Sequence, residues 1–137
     1  HIARRLRLDA DAEVVTVLRL RLADDEPIAL EELTVPADLV PGLAAPDLEN
    51  RSFYELLHER FDIRLAHSAQ TIEPTLINAE ESVELGVPEL SPALLFERTS
   101  SGADGVRFEF VRSVYRGDRY KIRTELTLPP HAPGGNT

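Results

Sequence analysis

The chain has 137 residues, a formal net charge of −9 and no cysteine. A domain of this length buries enough apolar surface to fold without disulfide bonds, and the lack of cysteine excludes disulfides and thiolate metal sites. The acidic balance disfavours direct binding to nucleic-acid phosphates. No apolar run reaches the ~20 residues of a membrane span and no signal peptide is visible, so we expect a cytoplasmic protein without a membrane partner.

The N-terminal part of the chain predicts a short helix and a strand. Residues 2–8 form the helix, and residues 14–22 alternate with the two-residue period of a half-buried strand. One side of this strand carries only leucines, and the other carries arginines beside a valine. The first side is Leu18, Leu20 and Leu22, and the second is Val17, Arg19 and Arg21.

The next segment completes a hairpin. Residues 23–27 form a polar turn, and residues 28–35 form a second strand that ends at Pro36. A loop of this length pairs Leu22 with Ile28 and places Arg19 opposite Glu31.

The middle of the chain predicts two capped helices. A loop at residues 38–50 is followed by Ser52-Phe53-Tyr54-Glu55, which has the form of a capping box and opens a helix to about residue 61. An extended segment covers residues 63–76. Asn78-Ala79-Glu80-Glu81 forms a second capping box, and Gly86 suits the left-handed end of that helix. The inward face of the first helix is Phe53, Leu56, Leu57 and Phe61.

The last part of the chain predicts three strands. Residues 94–101 and 106–115 flank a turn at 102–105, and residues 120–128 form a final strand after Gly117-Asp118. Residues 129–137 form a Pro/Gly-rich tail that we expect to be flexible. Strands joined mostly by short turns favour an α+β fold, with a largely antiparallel sheet and flanking helices.

Two arginines are the first candidates for binding chemistry. Arg19 and Arg21 lie on one side of a strand, about 6–7 Å apart, a spacing that suits a phosphate or a carboxylate. On spacing alone a solvated outer face is the simpler interpretation. The pairing with Glu31 leaves both surface pairing and a polar pocket floor open.

Further polar candidates lie on the first capped helix and on the strand at residues 106–115. Ser52 sits where a helix start offers free amides to an anion, although a plain cap explains it equally, and Tyr54 lies beside it. Glu109, Val111, Ser113 and Tyr115 share one face of the strand, which either lines a cavity or is solvated. Phe108, Phe110, Arg112 and Val114 share the opposite face, which we interpret as core.

The sequence contains no recognisable enzyme motif. A nucleophile elbow, a glycine-rich phosphate loop and a His-Glu-x-x-His zinc motif are all missing, and His58 and His67 are isolated in the sequence. We therefore expect neither catalytic residues nor a metal or other cofactor.

The order and spacing of several motifs resemble the UTRA domain, the effector-binding domain of HutC-type regulators in the GntR superfamily. The resemblance covers residues 2–128, and only the motifs together make it specific. They are Arg19-Leu20-Arg21, Pro27-Ile28-Ala29-Leu30-Glu31, Pro41-Gly42-Leu43, Ser52-Phe53-Tyr54-Glu55-Leu56-Leu57, Gln70-x-Ile72-Glu73, Ala79-Glu80, Leu85-Gly86-Val87, Glu97-Arg98 and Tyr115-Arg116-Gly117-Asp118-Arg119-Tyr120.

The resemblance implies a chorismate lyase-like fold, a homodimer and a small-molecule effector such as a sugar phosphate or another anionic metabolite. It also implies that DNA is bound only through an N-terminal winged-helix domain, which this chain lacks. The family pattern departs here at Phe61-Asp62, where an aromatic residue is usually followed by glycine, and its first strand is shortened or lost at His1.

The resemblance also assigns a ligand site. In relatives that sense amino-sugar phosphates, two strand arginines and a helix-start serine hold the phosphate, and these match Arg19, Arg21 and Ser52. Four further positions match residues that line the rest of that pocket, namely Glu31, Tyr54, Glu109 and Tyr115.

Three functions are compatible with the sequence. The first is an effector-binding and dimerisation domain of a transcription regulator, most simply a repressor, and this is our prediction. The second is a chorismate lyase-like enzyme, for which fold analogy is poor support. The third is a dimerisation module without a ligand.

Overall fold

The computed structural model describes residues 1–48 and 52–130 and contains one antiparallel sheet flanked by helices. The strands are β1 (Val14–Ala23), β2 (Glu26–Pro36), β3 (His67–Leu76), β4 (Pro92–Ser101) and β5 (Arg107–Arg116). The helices are α1 (Ile2–Arg5), α2 (Phe53–Phe61) and α3 (Ala79–Leu85), with short 3₁₀ turns at Ala37–Leu39 and Ala45–Leu48. The strand order β1-β2-β5-β4-β3, antiparallel throughout, confirms the predicted α+β fold.

The first hairpin keeps the predicted pairing of Arg19 with Glu31, but its turn is tighter than predicted. Asp24 and Asp25 both have positive φ, as a two-residue hairpin turn requires. Leu22 therefore pairs with Pro27, and the predicted pairing of Leu22 with Ile28 was wrong. An irregularity beside Arg21 skips Ile28 and restores the predicted register along the rest of the hairpin.

The main core lies between α2 and the sheet. Phe53, Leu56 and Leu57 are buried on the inner side of α2, as predicted, and Phe61 packs against the same cluster. The sheet contributes Leu33, Val35, Phe108 and Val111. The helix ends at Asp62, whose φ of +52° is the left-handed cap conformation that glycine usually supplies. Asp62 thus takes over the conformation of the glycine that the family pattern has there, since aspartate tolerates this region better than most residues.

Two other predicted helix boundaries need correction. Ser52 is the N-cap residue of α2, but its side chain makes no capping hydrogen bond, so the predicted capping box is wrong. The predicted helix at residues 2–8 is shorter, because Arg7 has a φ of +55° that a helix cannot continue through.

Helix α3 covers the other face of the sheet. Its capping box is confirmed: Asn78 Oδ1 accepts from the Glu81 amide at 2.8 Å, and Glu81 Oε1 accepts from the Asn78 amide at 3.0 Å. Gly86 ends the helix at a φ of +67°, as predicted. A second, smaller core beneath it contains Ile77, Leu85, Ala93 and Val114.

A bulge in β5 separates two phenylalanines that the sequence placed on one face. Ser100 pairs with Glu109 and Ser101 with Arg107, so Phe108 has no partner in the ladder. Phe108 consequently packs in the core under α2, whereas Phe110 packs against the His1 ring on the opposite face. The prediction of a single apolar face was wrong for Phe108.

The predicted final strand is absent. Residues 120–130 have no regular secondary structure, and Ile122, Leu126 and Leu128 are exposed. The alternating pattern predicted a strand, but a strand forms only where a neighbour satisfies its backbone groups, and none of the described residues pairs with this segment. Residues 49–51, in the predicted loop, and 131–137, in the predicted tail, lie outside the described residues.

Candidate functional site

A cavity of about 380 Å³ opens between the start of α2 and the sheet face that α2 covers. All seven residues that the sequence singled out line it. They come from four elements: Arg19 and Arg21 from β1, Glu31 from β2, Ser52 and Tyr54 from the start of α2, and Glu109 and Tyr115 from β5. The sheet residues meet because alternate residues of adjacent strands share one face.

Glu31 links the two arginines on the cavity floor. Its Oε1 lies 3.8 Å from Arg19 Nη1 and its Oε2 lies 3.4 Å from Arg21 Nε. The Ser113 hydroxyl donates to the same Oε2 at 3.3 Å. Arg19 Nη2 is buried and has no hydrogen-bond partner among the described residues. The carboxylate therefore attracts both guanidinium groups on the cavity floor, while one nitrogen of Arg19 remains without a hydrogen-bond partner.

Glu109 is the most deeply buried acid of the cavity, and it is held from two sides. Tyr54 on α2 donates its hydroxyl to Glu109 Oε1 at 2.5 Å, and Ser100 on β4 donates to the same oxygen at 2.7 Å. Arg98 Nε lies 3.5 Å away, close enough for charge attraction but not aligned as a hydrogen bond. Buried polar groups need such partners, so this network fixes the wall of the cavity.

Burial and the neighbouring carboxylates keep both cavity tyrosines protonated. Burial, followed by the hydrogen bond to Glu109, raises the pKa of Tyr54 to about 12. Burial also raises the pKa of Tyr115, and the positive charge of Arg21 is the main influence that lowers this pKa. Both phenols are thus hydroxyl donors at neutral pH.

Arg98 is the main site residue that the sequence analysis missed. It lines the cavity from β4 together with Phe96, and Gln70 lines it from the neighbouring β3. Its Nε is the second buried nitrogen without a hydrogen-bond partner in the described part of the chain. Arg98 pairs with Val111 in the β4–β5 ladder, so the face of β5 that was already identified as polar could have indicated it.

The cavity is suited to binding and carries an excess of positive charge. Arg19, Arg21 and Arg98 supply three positive charges against the two negative charges of Glu31 and Glu109, a formal excess of one. Within residues 1–48 and 52–130, no cluster of His, Asp or Glu could hold a metal ion. Fold and cavity together define a domain with a concave, polar site on one face of its sheet, the form that small-molecule sites usually take.

The chain belongs to the UTRA domain family, whose model matches residues 1–121. It is 36% identical, over 76% of its length and 42% of the relative, to the HTH-type transcriptional repressor NagR of Bacillus subtilis. It is 33% identical, over 83% of its length and 46% of the relative, to the HTH-type transcriptional repressor PhnF of Mycolicibacterium smegmatis. The chain is therefore an effector-binding regulatory domain and not an enzyme, and it spans less than half of either relative.

A solved structure supports the same assignment. A transcriptional regulator from Streptomyces coelicolor superposes with a TM-score of 0.85 at 32% identity, over 94% of this chain and 85% of that one. The fold is thus that of the UTRA domains, which is chorismate lyase-like. Across residues 1–48 and 52–130, no helix is long and apolar enough to cross a membrane.

Proposed function

We propose that this chain is the effector-sensing and dimer-forming part of a cytoplasmic, HutC-type transcriptional repressor of the GntR family. Its effector is a small anionic metabolite, such as a sugar phosphate, which binds in the cavity between α2 and the sheet. DNA is bound by a winged-helix domain outside this chain. The repressor names of NagR and PhnF support this proposal.

One observation carries the assignment of the cavity. Arg19 Nη2 and Arg98 Nε are both buried and both lack a hydrogen-bond partner among the described residues. A buried donor without a partner costs about 1–3 kcal/mol, and more when it is charged. Two such donors on one cavity wall indicate that an anionic acceptor completes the site.

The rest of the cavity favours an anion that also carries hydroxyl or amino groups. Ser52 lies at the start of α2, where free amides and the helix dipole favour a negative group beside Arg19 and Arg21. Glu31 and Glu109 accept hydrogen bonds, and they would repel a ligand that is anionic throughout. A phosphorylated sugar or amino sugar has both kinds of group.

The effector changes operator affinity only through different affinities for two states of the dimer. Binding at the junction of α2 and the sheet favours the state in which these elements are closest, because the ligand contacts both. The two binding events are linked. If operator DNA weakens effector binding by a given factor, the effector weakens operator binding by the same factor.

A thermal-shift titration with a hexosamine 6-phosphate, the unphosphorylated hexosamine and inorganic phosphate tests the proposal. At about 100 times its dissociation constant a specific ligand adds about 2.7 kcal/mol of stability. We expect stabilisation by the phosphorylated sugar, and a much smaller effect in the Arg19→Ala, Arg21→Ala double variant. If no member of a wider panel of sugar phosphates and carboxylates stabilises the domain, the proposed effector site is wrong. The domain would then be interpreted as a dimerisation module without a ligand.

A further inference from the structure

A second cavity, of about 400 Å³, lies at one end of the sheet on the face that α2 does not cover. Its floor contains a row of residues that pair directly across three strands: His67 on β3, Ser101 on β4 and Arg107 on β5. Directly paired residues of antiparallel strands point to the same face. Ser101 follows Ser100, whose hydroxyl bonds Glu109 in the effector cavity, so the row points away from that cavity.

The segment that begins the chain forms the other side of this cavity. Arg107 Nη1 donates to the backbone carbonyl of Arg5 at 2.7 Å, and the Arg5 guanidinium lies 5.5 Å from the centre of the Phe110 ring. Arg7, just after α1, also lines the cavity. We call this cavity the arginine pocket, after Arg5, Arg7 and Arg107.

The charge of the arginine pocket is opposite to that of the chain as a whole. Three guanidinium groups line the pocket and, among the described residues, no carboxylate does, which gives a formal excess of three positive charges. The effector cavity has an excess of one, and the whole chain has a net charge of −9. Like charges gathered in one cavity repel each other, and a bound anion relieves this repulsion.

Two acids lie beside the pocket without neutralising it. Glu97 lies 3.5 Å from Arg5 Nη2, so it offsets one of the three charges at most. Asp38 lines a neighbouring hollow together with Arg7 and Arg107. Within residues 1–48 and 52–130, neither of these two arginines forms an ion pair with an acid.

Two hydroxyl groups complete the set of donors in the pocket. Thr99 and Ser101 are both half-buried on β4, and neither side chain has a hydrogen-bond partner in the described part of the chain. On the opposite face, by contrast, Ser68 and Ser100 bond each other at 2.8 Å. Guanidinium groups beside such hydroxyls offer many donors, and an anion with several acceptor oxygens, such as phosphate, satisfies them together.

The backbone at Arg7 also supports a role in binding. The Leu8 amide donates to the Ala3 carbonyl at 2.8 Å. The Arg7 amide donates to the Arg4 carbonyl at 3.2 Å, which completes the pattern that ends a helix at a left-handed residue. Arg7 has a φ of +55° at this position, where glycine is the usual residue because a β-carbon is disfavoured. An arginine here therefore brings its guanidinium to the pocket at a cost in backbone energy.

We infer that the arginine pocket is a second anion site, which binds the phosphate group of a small molecule. The net charge of −9 disfavours the extended backbone of a nucleic acid, whereas a small ligand meets only the local positive charge. A phosphate in this pocket contacts both α1 and the sheet, so its binding fastens α1 to the sheet. The inference is independent of the effector assignment, because the two cavities share no lining residue among those described.

Titration of the Arg19→Ala, Arg21→Ala double variant with inorganic phosphate and with pyrophosphate tests the second site, because the effector cavity has then lost two of its arginines. Calorimetry measures the affinity, and backbone amide shifts in NMR spectra locate the anion. We expect saturable shifts at the amides of Thr99, Ser101 and Arg107. Shifts confined to the face that α2 covers, or no saturable shift with either anion, would overturn the inference.

Arg7→Gly in the same double variant separates anion binding from folding. It removes a guanidinium and gives the left-handed position its usual residue, so affinity for pyrophosphate should fall about tenfold or more without loss of thermal stability. Asp62→Gly makes the same backbone change at the end of α2 and is the matched control, with unchanged affinity. Arg64→Ala controls for the loss of a positive charge outside the pocket. If Arg7→Gly binds pyrophosphate as tightly as its parent, the inference is wrong.

Nucleic-acid phosphates are the alternative source of the anion. Fluorescence anisotropy with a labelled DNA duplex of unrelated sequence should show no binding that depends on Arg7. A duplex that binds the parent and not the Arg7→Gly variant, while phosphate and pyrophosphate do not bind, would assign the pocket to nucleic acid and overturn the inference.

Discussion

Tyr54 on α2 donates a hydrogen bond to Glu109 on β5, and the two residues are 55 positions apart in the chain. This contact joins the helix that covers the cavity to the strand that forms its floor. The Tyr54 ring also packs edge-on against Phe108, the residue at the β5 bulge. One side chain therefore connects the main core, the cavity wall and the start of α2.

The first prediction concerns alkaline pH. Because folding raises the pKa of Tyr54 from 10.0 to about 12, its contribution to stability is complete below pH 10 and is lost as the pH rises towards 12. We expect the difference in unfolding free energy between wild type and Tyr54→Phe to shrink over this interval. Urea unfolding at several pH values measures it. A difference that stays constant would mean that Tyr54 ionises equally in the folded and unfolded chains.

The second prediction concerns Arg98. Arg98→Ala removes a guanidinium whose buried Nε lacks a hydrogen-bond partner among the described residues, so affinity for an anionic effector should fall about 10–150-fold, the equivalent of a charged hydrogen bond of about 1.5–3 kcal/mol. The ligand-free domain should also lose stability, because the buried Glu109 carboxylate loses the positive charge that lies 3.5 Å away. Arg64→Ala is the control, because Arg64 is exposed and lies outside the cavity. Calorimetric titration provides the affinities. Equal losses in both variants would indicate a general charge effect.

The third prediction compares two residues at the same helical position. Asn78 accepts a hydrogen bond from the backbone of α3, whereas Ser52 makes no such bond at the start of α2. Asn78→Ala should therefore cost about 0.5–2 kcal/mol of unfolding free energy, and Ser52→Ala much less. Urea denaturation of the two variants checks the difference. A comparable loss from Ser52→Ala would show that its hydroxyl caps the helix in solution.

The fourth prediction concerns acid pH. Hydrogen bonds from Arg116 Nε and Nη2, at 3.1 and 2.8 Å, lower the pKa of the Asp118 carboxyl below its ordinary value of 3.8. Its contribution to stability is therefore present above that pH and is lost as the pH falls through the lower folded pKa. Wild type and Asp118→Asn should differ in stability at neutral pH and converge in strong acid. A carboxyl titration by NMR with an unshifted midpoint would contradict this.

The architecture was accessible from the sequence because it depends on local patterns, whereas the assignment of the cavity lining came from the family resemblance, since spacing alone left a solvated face open. The alternation in β1 placed Arg19 and Arg21 on one face, and the pairing with Glu31 survived an incorrect turn. It survived because the tighter turn at Asp24-Asp25 and the skipped Ile28 compensate each other in the register. The inner face of α2 followed from its apolar spacing, and its start was placed correctly at Ser52 although the capping box predicted there does not form.

The features that the sequence did not predict depend on contacts between distant segments. The bulge that moves Phe108 into the core under α2 comes from the pairing of β5 with β4, which a single-strand pattern cannot express. Arg98 joins the cavity only once β4 is aligned with β5. Residues 120–128 have the alternation of a strand, but alternation does not specify which segment would pair with them.

The two faces of β1 carry side chains of different chemistry on one short strand. Its arginines point into the cavity, and its leucines point away from it, on alternating positions of the same strand. Inserting or deleting a single residue between Leu22 and the hairpin turn at Asp24-Asp25 would exchange the two sets, unless a bulge compensated, burying leucines among the carboxylates and turning guanidinium groups outward. Substitutions can therefore change the chemistry of either face of β1 separately. A change in the length of the strand would disrupt the cavity face and the leucine face together.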